Sequence, residues 1–521
     1  MVYEILLMLY VAGVLWGLCL VFKKAGQAPW KALIPLYHLV VWVRICGKKW
    51  PWYIYFLIPG INIFIFLLMV QETAKVFHRG NFWEQLGAVL LPCVYLPMVG
   101  LKDWQYHDPA KEEKKKVSEA RDWAEAFTFA LIASILIRGF VFELFSIPSS
   151  SMERSLRVGD HLLVSKLAYG PRVIMTPLAL PLMHNTIVGT DMQSYLDWPQ
   201  LPYYRFPGYT HIKRYDAVVF NVPAGDTVLS AFPGGQYTYY EAVRLLGRDS
   251  VLGGEAVHPE RGPLGHIMLR PIDKREHYIK RCMGLPGETL QIIDQVVYIN
   301  GEAVESPSQS QLYRKVTFAV NYFPDDICEE CGMTKEDLQV AIPVVMDNAG
   351  NPYDSNGNLC LALCLSPEVA ENLMASGYVR SIEPYYFESD SSNALFPHVA
   401  SLGWSPDNFG PVHIPAKGET LKLTLDNLPF YRRVITAYEG NRLEVKGGKI
   451  FINGKQTDRY TVQQDYYWMM GDNRHNSQDS RYWGFVPEDH IVGKAKWVLW
   501  SWDGDHGGIR WNRILKDASA Y

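Results

Sequence analysis

Gly287-Glu-Thr-Leu-Gln-Ile-Ile-Asp-Gln-Val-Val-Tyr-Ile-Asn-Gly301 reads as a hairpin unit. Leu290–Ile293 and Val296–Ile299 are short runs rich in β-branched and aromatic residues, and they flank a turn. Asn300-Gly301 follows, a pair that tolerates the positive φ of a tight hairpin turn. The pattern returns 153 residues later (287 to 440) as Gly440-Asn-Arg-Leu-Glu-Val…Phe-Ile-Asn-Gly454. Gly418-Glu-Thr-Leu-Lys-Leu423 echoes its beginning, and Asp216–Phe220 is a further short apolar run after a turn. Together they predict a mainly antiparallel β fold for the second part of the chain. Two good copies do not make a solenoid.

Directly before the first hairpin lies Tyr278-Ile-Lys-Arg-Cys-Met-Gly-Leu-Pro-Gly-Glu288. Lys280 stands among Tyr278, Ile279, Met283 and Leu285, an apolar setting for an ammonium group. Burial disfavours its charged form, and a neutral amine can serve as a base. A partner hydroxyl is at hand in Ser146–Lys166, SIPSSSMERSLRVGDHLLVSK, where Pro148 favours an extended backbone before three serines. Such a backbone leaves a strand edge free to pair with a substrate chain. Gly471–Glu488, GDNRHNSQDSRYWGFVPE, is dense in Asp, Asn, Arg and Ser and suits a polar network that positions other groups. Singly, each block also fits a plain structural role: a cap or turn, a lysine snorkelling at a sheet edge, a loop. Their combination behind an apolar segment points to a peptide-bond hydrolase at a membrane surface.

The first 145 residues differ in kind. Ile5–Phe22 is 18 residues without a charge, long enough to span a bilayer. Further spans are predicted at about 52–70 and 86–101, and a transmembrane anchor at 126–145 whose Arg138 can snorkel near a helix end. Residues 30–45, with Pro35, His38 and Arg44, predict an interfacial helix. Lysines 23, 24, 31, 48 and 49 then share one side with the basic linker 111–125, and the anchor exits on the opposite face. With 521 residues the chain exceeds one domain, and a net charge of −4 gives no basic surface for nucleic acid.

The three blocks resemble those of the type I signal peptidases, the membrane enzymes that cut signal peptides from exported proteins. Pro-Ser-x-Ser-Met is met at Pro148–Met152, Tyr-Ile-Lys-Arg with Gly-Leu-Pro-Gly at Tyr278–Gly287, and Gly-Asp-Asn-Arg-x-Asn-Ser-x-Asp-Ser-Arg at Gly471–Arg481. The similarity runs from about Ala126 to the C-terminus with large insertions. It implies a mainly antiparallel β catalytic domain, 146–305 with 416–521, behind an α-helical membrane region. It implies Ser151 as nucleophile, Lys280 as general base, and the Ser149 hydroxyl beside the Ser151 N–H as oxyanion donors. Ser477 would hydrogen-bond and orient Lys280, while Asp479 and Arg481 would brace the loop as an ion pair. Substrate would pair with strand edges near 145–149 and 277–279, along Phe145, Ile147, Pro148, Met152, Tyr278 and Ile279. The chemistry needs no cofactor and no metal. Implied partners are preprotein signal peptides with small residues before the cut, and membrane lipid. The implied location is the bacterial inner membrane, multi-pass, with catalysis on the periplasmic face. Ser150, Cys282 and His475 depart from the commonest pattern without touching the dyad.

Residues 1–110 resemble a small family of uncharacterised bacterial membrane modules, through Ala25–Tyr37 and Ile58–Asn62. Extra anchoring is the reading adopted for them. Residues 306–415 form an insertion with Cys328-Glu-Glu-Cys331 and Cys360-Leu-Ala-Leu-Cys364. Outside the cytoplasm such pairs favour disulfides over zinc or free thiols, and neither pair is expected to affect catalysis. Met175–Pro207 predicts an apolar loop against lipid headgroups. Trp497, Trp500, Trp502 and Trp511 fit a membrane interface, and core packing fits Trp497 and Trp500 equally. Rival functions are a self-cleaving Ser/Lys regulator, a catalytically silent scaffold for exported proteins, and a transporter built on the first 110 residues. Four predicted spans argue against the first, and an intact Ser/Lys set against the second. The lack of an intramembrane carboxylate argues against the third.

Overall fold

The computed structural model describes the chain except residues 1, 58–60, 80, 110–129, 131–133, 181–182, 188–189, 191, 233–236, 254–256, 260–261, 324–326, 345–351, 354–355, 390–392, 505–506 and 519–521. It divides into two compact units, Met1–Val141 and Phe142–Tyr521.

The first unit is helical: α1 (Val2–Lys24), α2 (Tyr37–Ile45), α3 (Pro51–Leu57), α4 (Ile61–Val76), α5 (Phe82–Leu90) and α6 (Pro92–Leu101). Prolines open α3 and α6 at the first position, where the missing N–H is an orphan anyway. α1 and α6 touch through glycine. A Cβ on Gly17 would lie 2.5 Å from the Leu96 Cβ, and one on Gly100 2.2 Å from the Leu20 Cβ. Trp42 Nε1 donates to Thr73 Oγ1 at 2.8 Å in the buried centre. Of two expected spans, 52–70 covers α3, the start of α4 and residues 58–60, which lie outside the described residues, and 86–101 is divided between α5 and α6 at Pro92. The expected interfacial helix falls on a 3₁₀ turn, Pro29–Leu33, and the nine-residue α2. Among the described residues no helix is long and apolar enough to cross a membrane. Most of the expected anchor and the basic linker 111–125 lie outside the described residues, and Phe142, assigned to the anchor, already opens a strand.

The second unit is built on an eight-stranded sheet. In chain order its strands are β1 (Phe142–Ser146), β2 (Asp160–Ser165), β3 (Ala217–Asn221), β4 (His277–Gly284), β5 (Tyr466–Met470), β6 (Val486–Pro487), β7 (Ile491–Ser501) and β8 (Lys516–Asp517). The spatial order is β1-β2-β7-β3-β4-β5-β6, with β8 on β7, and every pairing is antiparallel. β3 is buried along its whole length, which accounts for its unbroken apolar run.

The two hairpin units are present where the sequence puts them. Thr289–Ile293 pairs with Val296–Ile299, and Leu443–Lys446 with Lys449–Ile452. Each turns twice. Asn300 (φ 53°) with Gly301 (φ 87°), and Asn453 (φ 51°) with Gly454 (φ 80°), form the predicted tight turns. Asp294-Gln295 and Gly447-Gly448 form the others, also at positive φ. Their inner faces join Phe396, Phe409, Trp468 and Phe485 in the largest core of the unit.

The insertion forms its own four-stranded antiparallel sheet of 342–343, 360–365, 312–318 and 379–384, packed against helices such as Pro367–Ala375. Its last part, Phe409–His413, pairs with Thr289–Ile293 and so extends the sheet of the first hairpin unit. None of the eight cysteines is joined in a disulfide, which overturns the disulfide expectation. Cys360 and Cys364 lie four apart on one strand, about 13 Å along it, too far to bridge each other. Among the described residues no His, Cys, Asp or Glu cluster could hold a metal ion. The 175–207 loop is tied down rather than loose. Thr176 N and Oγ1 donate to Asp273 at 2.8 and 2.7 Å, and Asn185 donates to Glu276 at 2.6 Å.

Candidate active site

Ile147 leaves β1 with its backbone held on both sides, its N–H on Asp160 O at 2.9 Å and its carbonyl on Gly159 N at 3.0 Å. Ser149 is extended (φ −135°, ψ 155°), and Ser150–Met152 is one 3₁₀ turn. Ile147 and Met152 are buried with Leu156, Leu162, Val164 and Ala217. Expected as substrate contacts, they are buried here and anchor the turn from below, because the turn needs apolar feet to stand on the sheet. Pro148 and Ser149 are exposed above it. The Ser151 N–H donates to no group among the described residues.

Lys280 sits in β4 opposite Val218 of β3. Its residue is only 3% exposed, and Nζ donates a hydrogen bond to Ser151 Oγ. The amine lies 5.5 Å from the centroid of the Tyr278 ring. Burial lowers the Lys280 pKa to about 8; Asp479 and Asp472 oppose that shift and Arg481 adds to it. Among the described residues Lys280 forms no ion pair. A base that keeps its proton only below about pH 8 can be neutral under physiological conditions.

The Gly471–Arg481 loop clamps the serine turn. Asn473 donates from its backbone to Ser151 O (3.2 Å) and from Nδ2 to Ser150 O (3.1 Å), while Asn476 Nδ2 donates to Ser150 Oγ (2.9 Å). Gly471 permits this approach, since a Cβ there would lie 2.6 Å from Ser151 O and 2.3 Å from Ser477 Oγ. Asp479 and Arg481 are fully buried and paired through two contacts of 3.0 and 2.8 Å. Burial alone would raise the Asp479 carboxyl, but Arg481 and the Gly471 N–H outweigh it and hold it below the usual range. Ser477 departs from expectation. Its hydroxyl is buried and has no hydrogen-bond partner among the described residues, so it does not orient Lys280.

Two backbone edges stand open beside this pair. β1 is the terminal strand of the sheet, and β5 pairs with β4 only from Arg281 onward, so among the described residues β3 is the strand that pairs with 277–279. Phe145 packs against His277 at 4.8 Å, bringing the two edges together. Half-buried Phe145 and Ile279 close over the core beneath the serine turn.

Several residues around the site had no role assigned to them from the sequence. Arg281 is fully buried and meets Asp472 through Nε at 2.8 Å and a second nitrogen at 2.6 Å. His475 donates from Nε2 to Asp407 (2.6 Å) and accepts Tyr313 N at Nδ1 (2.9 Å), tying the loop to the insertion. Burial lowers the His475 pKa, with Asp407 opposing, so the ring is neutral in this arrangement. Gln311, Asp337 and Cys364 of the insertion also reach the loop or the turn.

The sequence matches the family described as signal peptidase, peptidase S26, over residues 120–341 and 456–500. Residues 30–109 match a family of unknown function (DUF5684). The Signal peptidase I of Haemophilus influenzae is 24% identical over 483 residues, which cover 91% of this chain and 97% of that protein. That of Buchnera aphidicola subsp. Schizaphis graminum is 44% identical over 392 residues, 74% of this chain and 78% of that protein. That of Pseudomonas aeruginosa is 31% identical over 179 residues, 34% and 56% of the two chains.

Proposed function

The chain belongs to the type I signal peptidase family and is an endopeptidase that cleaves signal peptides, and we propose that it does so with a Ser151/Lys280 dyad through an acyl-enzyme. The observation that carries this reading is the contact of a buried, carboxylate-free lysine with a serine hydroxyl. The preprotein adds a strand between the edges of β1 and residues 277–279 of β4. Neutral Lys280 takes the Ser151 proton as Oγ attacks the scissile carbonyl. The oxyanion lies at the free Ser151 N–H and the exposed Ser149 hydroxyl, a site where one preorganised donor is worth about 3 kcal/mol. Protonated Lys280 then gives its proton to the leaving amine. Water enters, Lys280 takes a proton from it as its oxygen attacks the acyl carbonyl, and Lys280 then returns that proton to Ser151 Oγ as the ester bond breaks and the signal peptide leaves. Small residues at the first and third positions before the cut complete the proposed substrate rule.

The proposed workplace is the periplasmic face of the bacterial inner membrane, with residues 1–145 as the membrane region. Support comes from the outer face of the sheet, where Leu144, Leu163 and Trp497 stand opposite one another across β1, β2 and β7. Leu144, Trp497, Trp500, Trp502 and Trp511 are all exposed. Core packing therefore does not account for Trp497 and Trp500, and aromatic side chains of this kind favour the lipid–water boundary. In detergent extracts, Ser151→Ala and Lys280→Ala should each abolish cleavage of a preprotein reporter. Near wild-type turnover in either variant would overturn the dyad.

A further inference from the structure

We propose that Cys364 and Asn473 are positioning residues: together they set the plane of the peptide bond that carries the Ser151 N–H, so the insertion shapes the oxyanion site. The inference rests on the reading of Ser151 as the nucleophile.

Asn473 is 3% exposed and uses every polar group on its side chain. Nδ2 donates at 3.1 Å to Ser150 O, which also accepts the Glu153 N–H at 2.9 Å, and Oδ1 accepts from Cys364 Sγ at 2.9 Å. The Ser150 carbonyl and the Ser151 N–H belong to one planar trans peptide, so fixing the oxygen fixes the direction of the N–H on the far side. That N–H is free and is the backbone donor for the oxyanion. An asparagine amide presents an acceptor on one side and a donor on the other, and its partners decide which way it faces. The Cys364 thiol is a donor, so it selects the orientation that turns Nδ2 toward Ser150. Without that donor the amide can turn over, setting Oδ1 against the Ser150 carbonyl, acceptor against acceptor. Burial pushes the Cys364 thiol above its ordinary range, with Asp337 adding to it, which keeps the sulfur protonated and donating.

The insertion holds this arrangement from both sides. Gln311, fully buried, lies beside Asn473 as a parallel bridge, donating from its N to Asp472 O at 2.8 Å and accepting Arg474 N at 3.0 Å. Its Nε2 donates to Asp337 Oδ1 at 2.8 Å and to Cys364 O at 3.3 Å. Asp337 in turn pairs with Arg154, three residues after Ser151 and itself at φ 73°. A closed circuit therefore runs from the serine turn through the insertion to the catalytic loop and back.

The test uses the full chain in detergent with a signal-peptide reporter. Cys364→Ala should lower kcat about 10-fold and Asn473→Asp about 100-fold, with KM within about twofold of wild type. The acid limb of the rate profile should stay near pH 8 in Cys364→Ala, which leaves the charges around Lys280 unchanged. Cys364→Ser, which restores a donor, should recover kcat to within about threefold of wild type. Full activity in Cys364→Ala, or Cys364→Ser as impaired as Cys364→Ala, overturns the inference. If Cys364→Ala does not fold, Asn473→Asp decides, and wild-type kcat there overturns it as well. Ser151→Ala separates the two readings. A dead Ser151→Ala beside a fully active Cys364→Ala removes only the positioning role, whereas an active Ser151→Ala removes the dyad itself.

Discussion

Lys280 and Arg281 are consecutive residues of β4, and their side chains leave opposite faces of the sheet. Both are buried, one 3% and the other 0% exposed. On Arg281's face the loop supplies a carboxylate, and Asp472 takes the guanidinium in a forked contact while Tyr215 O takes a third N–H at 2.7 Å. On Lys280's face the nearest partner is the Ser151 hydroxyl. An ion pair offsets the cost of removing a cation from water; an alcohol does not. One strand thus holds a permanent cation that braces and an amine that gives up its proton. The loop that feeds both, Gly471–Arg481, sends Asp472 to the first and keeps Asp479 occupied with Arg481, away from the second.

The comparison breaks hardest at Lys280→Arg. Arginine stays protonated, so the substitution should place a brace where a base is needed and remove activity by about 10⁴-fold or more. Measured turnover above about 1% would mean the proton goes elsewhere. On the other face, Asp472→Ala leaves Arg281 buried without its partner and should cost roughly 3–5 kcal/mol of stability, read from denaturant midpoints. A shift below about 1 kcal/mol would mean the guanidinium is satisfied without it.

Lys280→Met should act in the opposite sense. The folded-state pKa of about 8 lies below the ordinary 10.5, so the buried charge destabilises the fold fully below pH 8, and the cost fades between 8 and 10.5. The methionine variant should therefore be more stable than wild type by up to roughly 3 kcal/mol at pH 7 and no more stable above pH 10.5. Thermal melts at the two pH values check this. Ser477→Ala should be mildest. Its hydroxyl has no partner to lose, so kcat should fall less than about fivefold, and a larger fall would mean it joins the reaction.

Local signals were legible because they need no distant partner. Asn300-Gly301 and Asn453-Gly454 turn where the sequence says, and the alternating runs around them pair as predicted. The two stretches whose side chains meet at Ser151 and Lys280 each carried a chemical cue as well, a serine after an extended Pro148 and a lysine in an apolar run. The clamp was not legible. Cys364 meets Asn473 across 109 residues and Arg154 meets Asp337 across 183, and no spacing rule encodes such contacts. The cysteine pairs were misread because their spacing is close in sequence yet lies along one strand or one helical turn. The hydropathy of 86–101 overrode Pro92, which divides that stretch into two shorter helices. Ile147 and Met152 were taken for substrate contacts because they flank the serines, but their apolar side chains are what fixes the turn to the core.

The central claim is that Lys280 works as a neutral base, and the pH dependence of kcat/KM on the full chain with a preprotein reporter tests it most directly. The rate should rise with pH along a single acid limb with its midpoint near 8. A profile that is flat from pH 6 to 10, or whose limb lies in the carboxylate range near pH 4, would contradict the account.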